Sequence, residues 1–315
     1  MRRIVIILTV FVGLCGNGFA QNDTTKIVLK KSMLNGHIFT SINSSNSAFI
    51  NTFLNAELGL GNTGSLELPG LNIGDFELLS FAGSVTFATT HIDYSQKIND
   101  WLALRLSTSL GGRVGSNMST ILIDGLNAFS GGSIGWDFRF VRKQKFQMTG
   151  SVFVKNIDGS FIDIAGYIKD IVNDNPFPQA VRSIPVLTAG VAAQGAYAFN
   201  KAYGLQFGAD ISYGESFTRN EQSFYSAMYI SGDLDLMPRK NIPLGFAAGY
   251  KLSSDPEDTY LEFIYTSIFS GKIAYTGSSD FDLGLQFIAN RVKLSEGVGE
   301  TPIVLKTQFN FKLYF

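Results

Sequence analysis

His37 and His91 are the only two imidazoles in the chain, and they limit the chemistry it can carry. His91 is followed at alternate positions by Asp93 and Ser95. A base, a carboxylate and a hydroxyl are the parts of a hydrolytic set. On one strand, however, residues of one parity are about 7 Å apart at each step, which separates them as a catalytic group. We expect polar lining here and no catalytic residue. A zinc site needs several histidine or cysteine ligands, and the one cysteine, Cys15, lies in the amino-terminal leader. No metal and no cofactor are expected. Gly59-Leu60-Gly61-Asn62-Thr63-Gly64 matches a dinucleotide fingerprint, but Pro69 and Gly70 stop the helix that pattern requires, so it reads as a flexible turn. Asp255, Glu257 and Asp258 lack the twelve-residue, glycine-bearing frame of a calcium loop and read as a solvated loop.

A larger set of charges shares a different property. Arg105, Asp137, Arg139, Lys145, Lys155, Asp210, Asp233, Asp235, Lys251, Glu262, Asp282, Lys306 and Lys312 all fall on the polar parity of alternating segments. Such a set lines a lumen. Both signs occur, so no strong ion selectivity follows. Pairs such as Asp137 and Lys155 can equally neutralise each other across a packed interior, and the lumen is open or packed on this ground alone.

The segments that position these charges have period two. Leu102, Leu104, Leu106 and Leu110 share one parity, with Ala103, Arg105, Ser107 and Ser109 on the other. Ile134, Trp136, Phe138 and Phe140 alternate with Ser133, Gly135, Asp137 and Arg139. Segments 145–155 and 303–315 are equally clear. Weaker alternation runs through 79–95, 186–199, 203–214, 224–237, 244–253, 260–275 and 281–291. Each strand so made has one apolar and one polar face. The uncharged stretch 183–200 is a strand too, because Pro185, Gly190 and Gly195 interrupt it as a helix.

Short turns near 97–100, 142–144, 200–202, 238–242 and 277–280 alternate with mostly longer links at 114–130, 157–183, 215–223, 254–258 and 294–301. Tyr94, Trp101, Phe140, Phe146, Phe199, Tyr203, Tyr275 and Phe281 flank the short turns, as an aromatic girdle does. Strands in lipid must pair both edges, so they close into a barrel. The expectation is an all-β fold, a transmembrane antiparallel up-and-down barrel of about twelve strands. Eleven segments are placed, and antiparallel closure needs an even count. The twelfth strand should come from 26–60, where 26–31 and 53–60 are both poor strands; alternatively, part of 32–72 forms a plug in the lumen. Ser160 is a good N-cap, and Phe161, Ile162, Ala165, Ile168 and Val172 recur at helical spacing, so a short helix is expected in the longest loop. It packs over the mouth or moves as a gate.

Composition fits this division. Charged residues make up 16%, against about 25% in soluble domains, with 33 glycines and 27 phenylalanines. Disorder is excluded, and the lack of long apolar runs argues against a helical membrane bundle. The net charge of −1 leaves no basic excess for nucleic acid. Residues 1–20 read as a signal peptide: Arg2 and Arg3, an apolar run from Ile4 to Leu14, then Gly18 and Ala20 before the cut. The chain therefore divides into the signal peptide 1–20, an amino-terminal segment 21–78 holding the first strand, a plug or both, and the barrel 79–315.

The signal peptide, the alternating strands and the terminal Phe315 resemble a Gram-negative outer-membrane β-barrel protein. Gln308, Leu313 and Phe315 match the carboxy-terminal signal read by the barrel-assembly machinery, with Asn310 where glycine is usual. The plug candidate and lidded mouth are faintly similar to fatty-acid-transporter-type barrels and porins. The resemblance implies residence in the cell outer membrane, contact with its lipid and lipopolysaccharide, and passage of a small-molecule solute, which can be hydrophobic. A lipid-modifying enzyme centred on His91 and a plugged structural or secretion-accessory barrel are the rivals.

Overall fold

Twelve antiparallel strands form one closed wall in the structure, which is a computed structural model. It describes residues 32–42, 47–64, 66–73, 76–114, 125–162, 167, 170–173, 175–216, 222–255, 265–291 and 303–315. The wall strands are β3 (Phe53–Asn62), β6 (Thr86–Asn99), β7 (Leu102–Arg113), β8 (Gly125–Arg142), β9 (Phe146–Ile162) and β10 (Val181–Ala198). They continue with β11 (Tyr203–Gly214), β12 (Ser223–Asp235), β13 (Leu244–Ser253), β14 (Thr266–Tyr275), β15 (Phe281–Arg291) and β16 (Ile303–Tyr314). Strand β16 closes the ring on β3, from Leu305 opposite Asn62 to Tyr314 opposite Phe53. The twelfth strand is therefore 53–62.

The wall inverts the burial rule of a water-soluble protein. Leu58 and Leu60 are 61% and 64% exposed on the outer face, and Ile134 is 50% exposed, while Gln286 and Asn310 are fully enclosed. A continuous apolar belt of this kind is stable in lipid, where a closed barrel leaves no unpaired backbone edge. Most strands run 10 to 14 residues, whereas β8, β9 and β10 have 18, 17 and 18. A crossing needs about 9–11 residues, so these three rise past the belt at one end.

All long connections leave from that end, and the short turns lie at the other. One turn is the small helix α1 (Met237–Lys240). Rings gather near the turns: Trp101 stacks on Phe138 at 6.3 Å, and Tyr275 on Phe281 at 5.7 Å. This is the girdle level expected from sequence.

Residues 32–42 and 47–52 lie inside the barrel at the turn end. A tight hairpin of β1 (Met33–Leu34) and β2 (His37–Ile38) turns through Asn35 and Gly36, both at positive φ. Leu34, Phe39, Ala48 and Phe49 then pack with Ala196 and Ala198 of the wall. A lumen element in 32–42 and 47–52 is thus followed by the wall strand β3.

Two boundaries differ from expectation. The strand expected from 79 begins at Thr86, because β4 (Leu66–Ile73) and β5 (Phe76–Gly83) pair as a separate hairpin outside the ring. The helix expected from Ser160 does not start there. Ser160 and Ile162 pair with Ser183 and Val181, and β9 is hydrogen-bonded on both sides through Ile162. The two ladders satisfy backbone groups that a helix start would leave open. Helical conformation appears at Tyr167 and Asp170–Val172. Residues 1–20, read from sequence as a signal peptide, lie outside the described residues.

Candidate functional site

The lumen has three levels, set by how far along each strand a residue falls. At the turn end the plug is bonded to the wall. The Thr40 N–H donates to Asp233 at 2.9 Å, and Gln206 Nε2 donates to the same carboxylate at 3.0 Å. Gln147 and Thr149 both donate to the Ala48 carbonyl at 2.6 Å. Lys272 Nζ donates to the Ser41 carbonyl at 3.0 Å. His37 is fully buried, edge-on to Phe39, with Nδ1 3.3 Å from the Lys201 carbonyl. It presses on Gly204, where a Cβ would stand 2.5 Å from the imidazole. Burial holds the His37 pKa below its ordinary value, opposed by the Lys201 carbonyl and by Asp235.

The middle level is a layer of paired charges and amides. Arg105 clamps Asp93 through two bonds, 3.0 and 2.7 Å. Ser151 donates to Asp137 at 2.6 Å. Glu57 accepts from Asn55 at 2.6 Å and from Gln308 at 3.3 Å. Lys272 also reaches Asn310 at 2.8 Å, and Asp282 at 4.0 Å. Lys312 lies over the Phe53 ring, 3.7 Å from its centre.

Above this layer is a cavity of about 300 Å³, reaching up among the loop-end halves of the strands. His91 bonds Ser109 at 2.8 Å, and Ser107 bonds Ser133 at 2.6 Å. Lys155 pairs with Asp255 at 3.0 Å. Phe87, Phe129 and Phe153 also line it. Phe129 sits on Gly111, where a Cβ would be 2.2 Å from the ring, so only glycine lets the ring lie against the wall.

The charges picked from sequence divide among these levels. Arg105, Asp137, Lys155, Asp210, Lys251 and Lys306 line the cavity. Asp233, Asp235, Asp282 and Lys312 are buried below it. Asp235 accepts from Met237 N–H and Thr276 Oγ1 at 3.1 Å each. Arg139 is at the turn-end rim, half-buried, where the register with β9 shifts between Arg139 and Val141. Lys145 is a correction: it is exposed in the β8–β9 turn, because β9 begins one residue later. Glu262 lies outside the described residues. Asp137 and Lys155 do not neutralise each other; Lys155 takes Asp255, which is buried rather than solvated.

Gln308 faces inward, while Leu313 pairs with Leu54 and the exposed Phe315 donates its N–H to the Thr52 carbonyl at 3.1 Å. Asn310 bridges Lys272 and Asn55. His91 and Asp93 have separate partners. Asp93 serves Arg105, and His91 instead faces Ser109 across the ladder, with Glu57 opposite on the other side. Among the described residues, the main-chain N–H groups neighbouring His91 belong to the barrel ladder. Glu57, Asp93 and Lys272 were absent from the charged set picked from sequence, although Asp93 shares the parity of His91.

No family model matches the chain, and no curated protein matches it in sequence. Solved barrels are similar in form. One is the KdgM porin in complex with disordered oligogalacturonate, at 5% identity and TM-score 0.45, over 84% of this chain and 99% of that one. The translocator domain of autotransporter NalP from Neisseria meningitidis gives 9% and 0.47, over 87% and 90%. The P. putida toluene transporter TodX gives 10% and 0.42, over 84% and 90%. At these scores the likenesses assign neither solute nor activity. The apolar belt, the closed ladder and the aromatic turn level make this chain a transmembrane β-barrel of the outer-membrane type.

Proposed function

We propose that the protein is a channel for small solutes in the cell outer membrane, closed at its turn end by residues 32–42 and 47–52. One observation carries this. A polar cavity reaches into the barrel from the loop end and stops at the charged layer above the plug, which contacts the wall through a few discrete bonds. Solute enters among both charge signs, hydroxyls and three phenyl rings, which suits small polar or amphipathic molecules. Passage requires the plug to shift. Export by the signal peptide, insertion by the barrel-assembly machinery and contact with lipopolysaccharide complete the reading.

Purified protein in liposomes tests it by solute-driven swelling. Slow swelling with the full chain and fast swelling after deletion of 32–50 are expected. No swelling from a correctly folded deletion variant overturns the reading. The deletion must stop before Thr52, which bonds Lys97 and Phe315 in the wall.

A second reading, a plugged structural barrel, is favoured by the packed middle layer around Glu57, Asn310 and Lys272. It predicts that the deletion variant stays closed.

A further inference from the structure

The outer wall is not uniformly convex. Register places Leu205 opposite Gly232, Gly232 opposite Ala248, Ala248 opposite Gly271, and Gly271 opposite Phe287. This row crosses five strands on the outward parity. A Cβ added at Gly232 or Gly271 would meet nothing within 4 Å. Larger side chains stand around the row, among them Leu234, Phe246 and Ile273, and border an open, almost wholly apolar groove of about 810 Å³. That volume is in the range of about 300–1,000 Å³ typical of ligand sites.

The groove has a charged foot. Tyr203 forms part of its lower edge. The guanidinium of Arg239 lies 4.8 Å above the Tyr203 ring, and Nη1 donates to its hydroxyl at 3.2 Å. Held on this ring, Arg239 keeps further N–H donors in a fixed fork. Lys240 follows it, and both are exposed. Asp235, the acid nearest in sequence to Arg239, is buried and bonded inside the barrel, so it does not neutralise this rim. The cations stand at the girdle level, where a lipid headgroup sits.

We propose that groove and rim together bind one anionic phospholipid of the turn-end leaflet. An acyl chain lies over Gly232, Ala248 and Gly271, and the phosphate meets Arg239 and Lys240. The apolar chain matches the floor, and the negative headgroup matches the rim. The site rests on the reading that the outer belt faces a membrane, and does not depend on the lumen conducting.

Native mass spectrometry of delipidated full chain, titrated with phosphatidylglycerol or phosphatidylcholine, tests it. One phosphatidylglycerol should be retained in preference to phosphatidylcholine. The double substitution Arg239→Gln, Lys240→Gln should weaken retention about tenfold or more, as expected from losing two headgroup-level cations. Gly271→Leu, which fills the floor, should also weaken it; Gly232→Leu replaces that variant if it does not fold. Lys143→Gln, in the β8–β9 turn, should change nothing. Equal retention of the two lipids, or retention unchanged in the rim and floor variants, overturns the site. Failure of the chain to insert into liposomes would instead overturn the membrane reading.

Discussion

The main-chain N–H of Thr40 donates to the Asp233 carboxylate, 2.9 Å away, buried, and 193 residues further along the chain. This bond ties the plug to the far wall. Asp233→Ala removes the acceptor of both Thr40 and Gln206. Hydrogen bonds to charged groups contribute about 1.5–3 kcal/mol. We predict faster amide exchange at 39–42 with β12 protection kept. Unchanged protection at Thr40 would show that the bond does not hold the plug.

His37 makes plug docking depend on pH. Its folded pKa lies below the ordinary value of 6.5 because burial disfavours the imidazolium. The folded state therefore binds fewer protons than the undocked one. Its contribution is fully present above about pH 6.5 and is lost as pH falls from there toward the folded value. Hydrogen exchange over 33–40 should rise between pH 7.5 and 5.5, and His37→Phe should flatten that rise. An equal rise in the variant would place the sensitivity elsewhere.

The Asp93–Arg105 clamp should behave as a unit. Its side chains are 5% and 21% exposed. Removing one partner of a buried pair costs about 3–5 kcal/mol, because the other charge is left alone. Arg105→Ala should lower the urea midpoint in liposomes strongly, and Asp93→Asn, Arg105→Leu together should cost less than the sum. Additive losses would mean that the two residues act independently.

The lipid face gives a contrast between two positions. Leu58→Arg places a charge mid-strand on the outer belt, which should cost about 2–4 kcal/mol. Arg291 already stands at the loop-end terminus of β15, exposed. Arg291→Leu should change stability by about 0–1 kcal/mol. Equilibrium unfolding in bilayers reads both, and equal effects would contradict the placement of the belt.

Period two made most of the wall legible, because β7, β8 and β16 alternate strictly between lipid and lumen. Strand β3 was harder, though Leu54, Ala56, Leu58 and Leu60 alternate with Asn55, Glu57, Gly59 and Gly61. Its inward glycines weakened the signal. The plug's location was not fixed, since Phe39, Ile42 and Phe49 have no period and are positioned by distant partners. The helix start at Ser160 failed for the same reason: two neighbouring strands overrode local spacing. Lumen charges followed parity, but their partners did not, because Lys155 finds Asp255 across a loop 100 residues on.

Single-channel recording tests the central claim most directly, comparing the full chain with the same chain lacking 32–50. A closed or small conductance in the full chain and a large, steady one in the deletion variant is the predicted result. Equal conductance from both, with the variant folded, would contradict closure of the lumen by the plug.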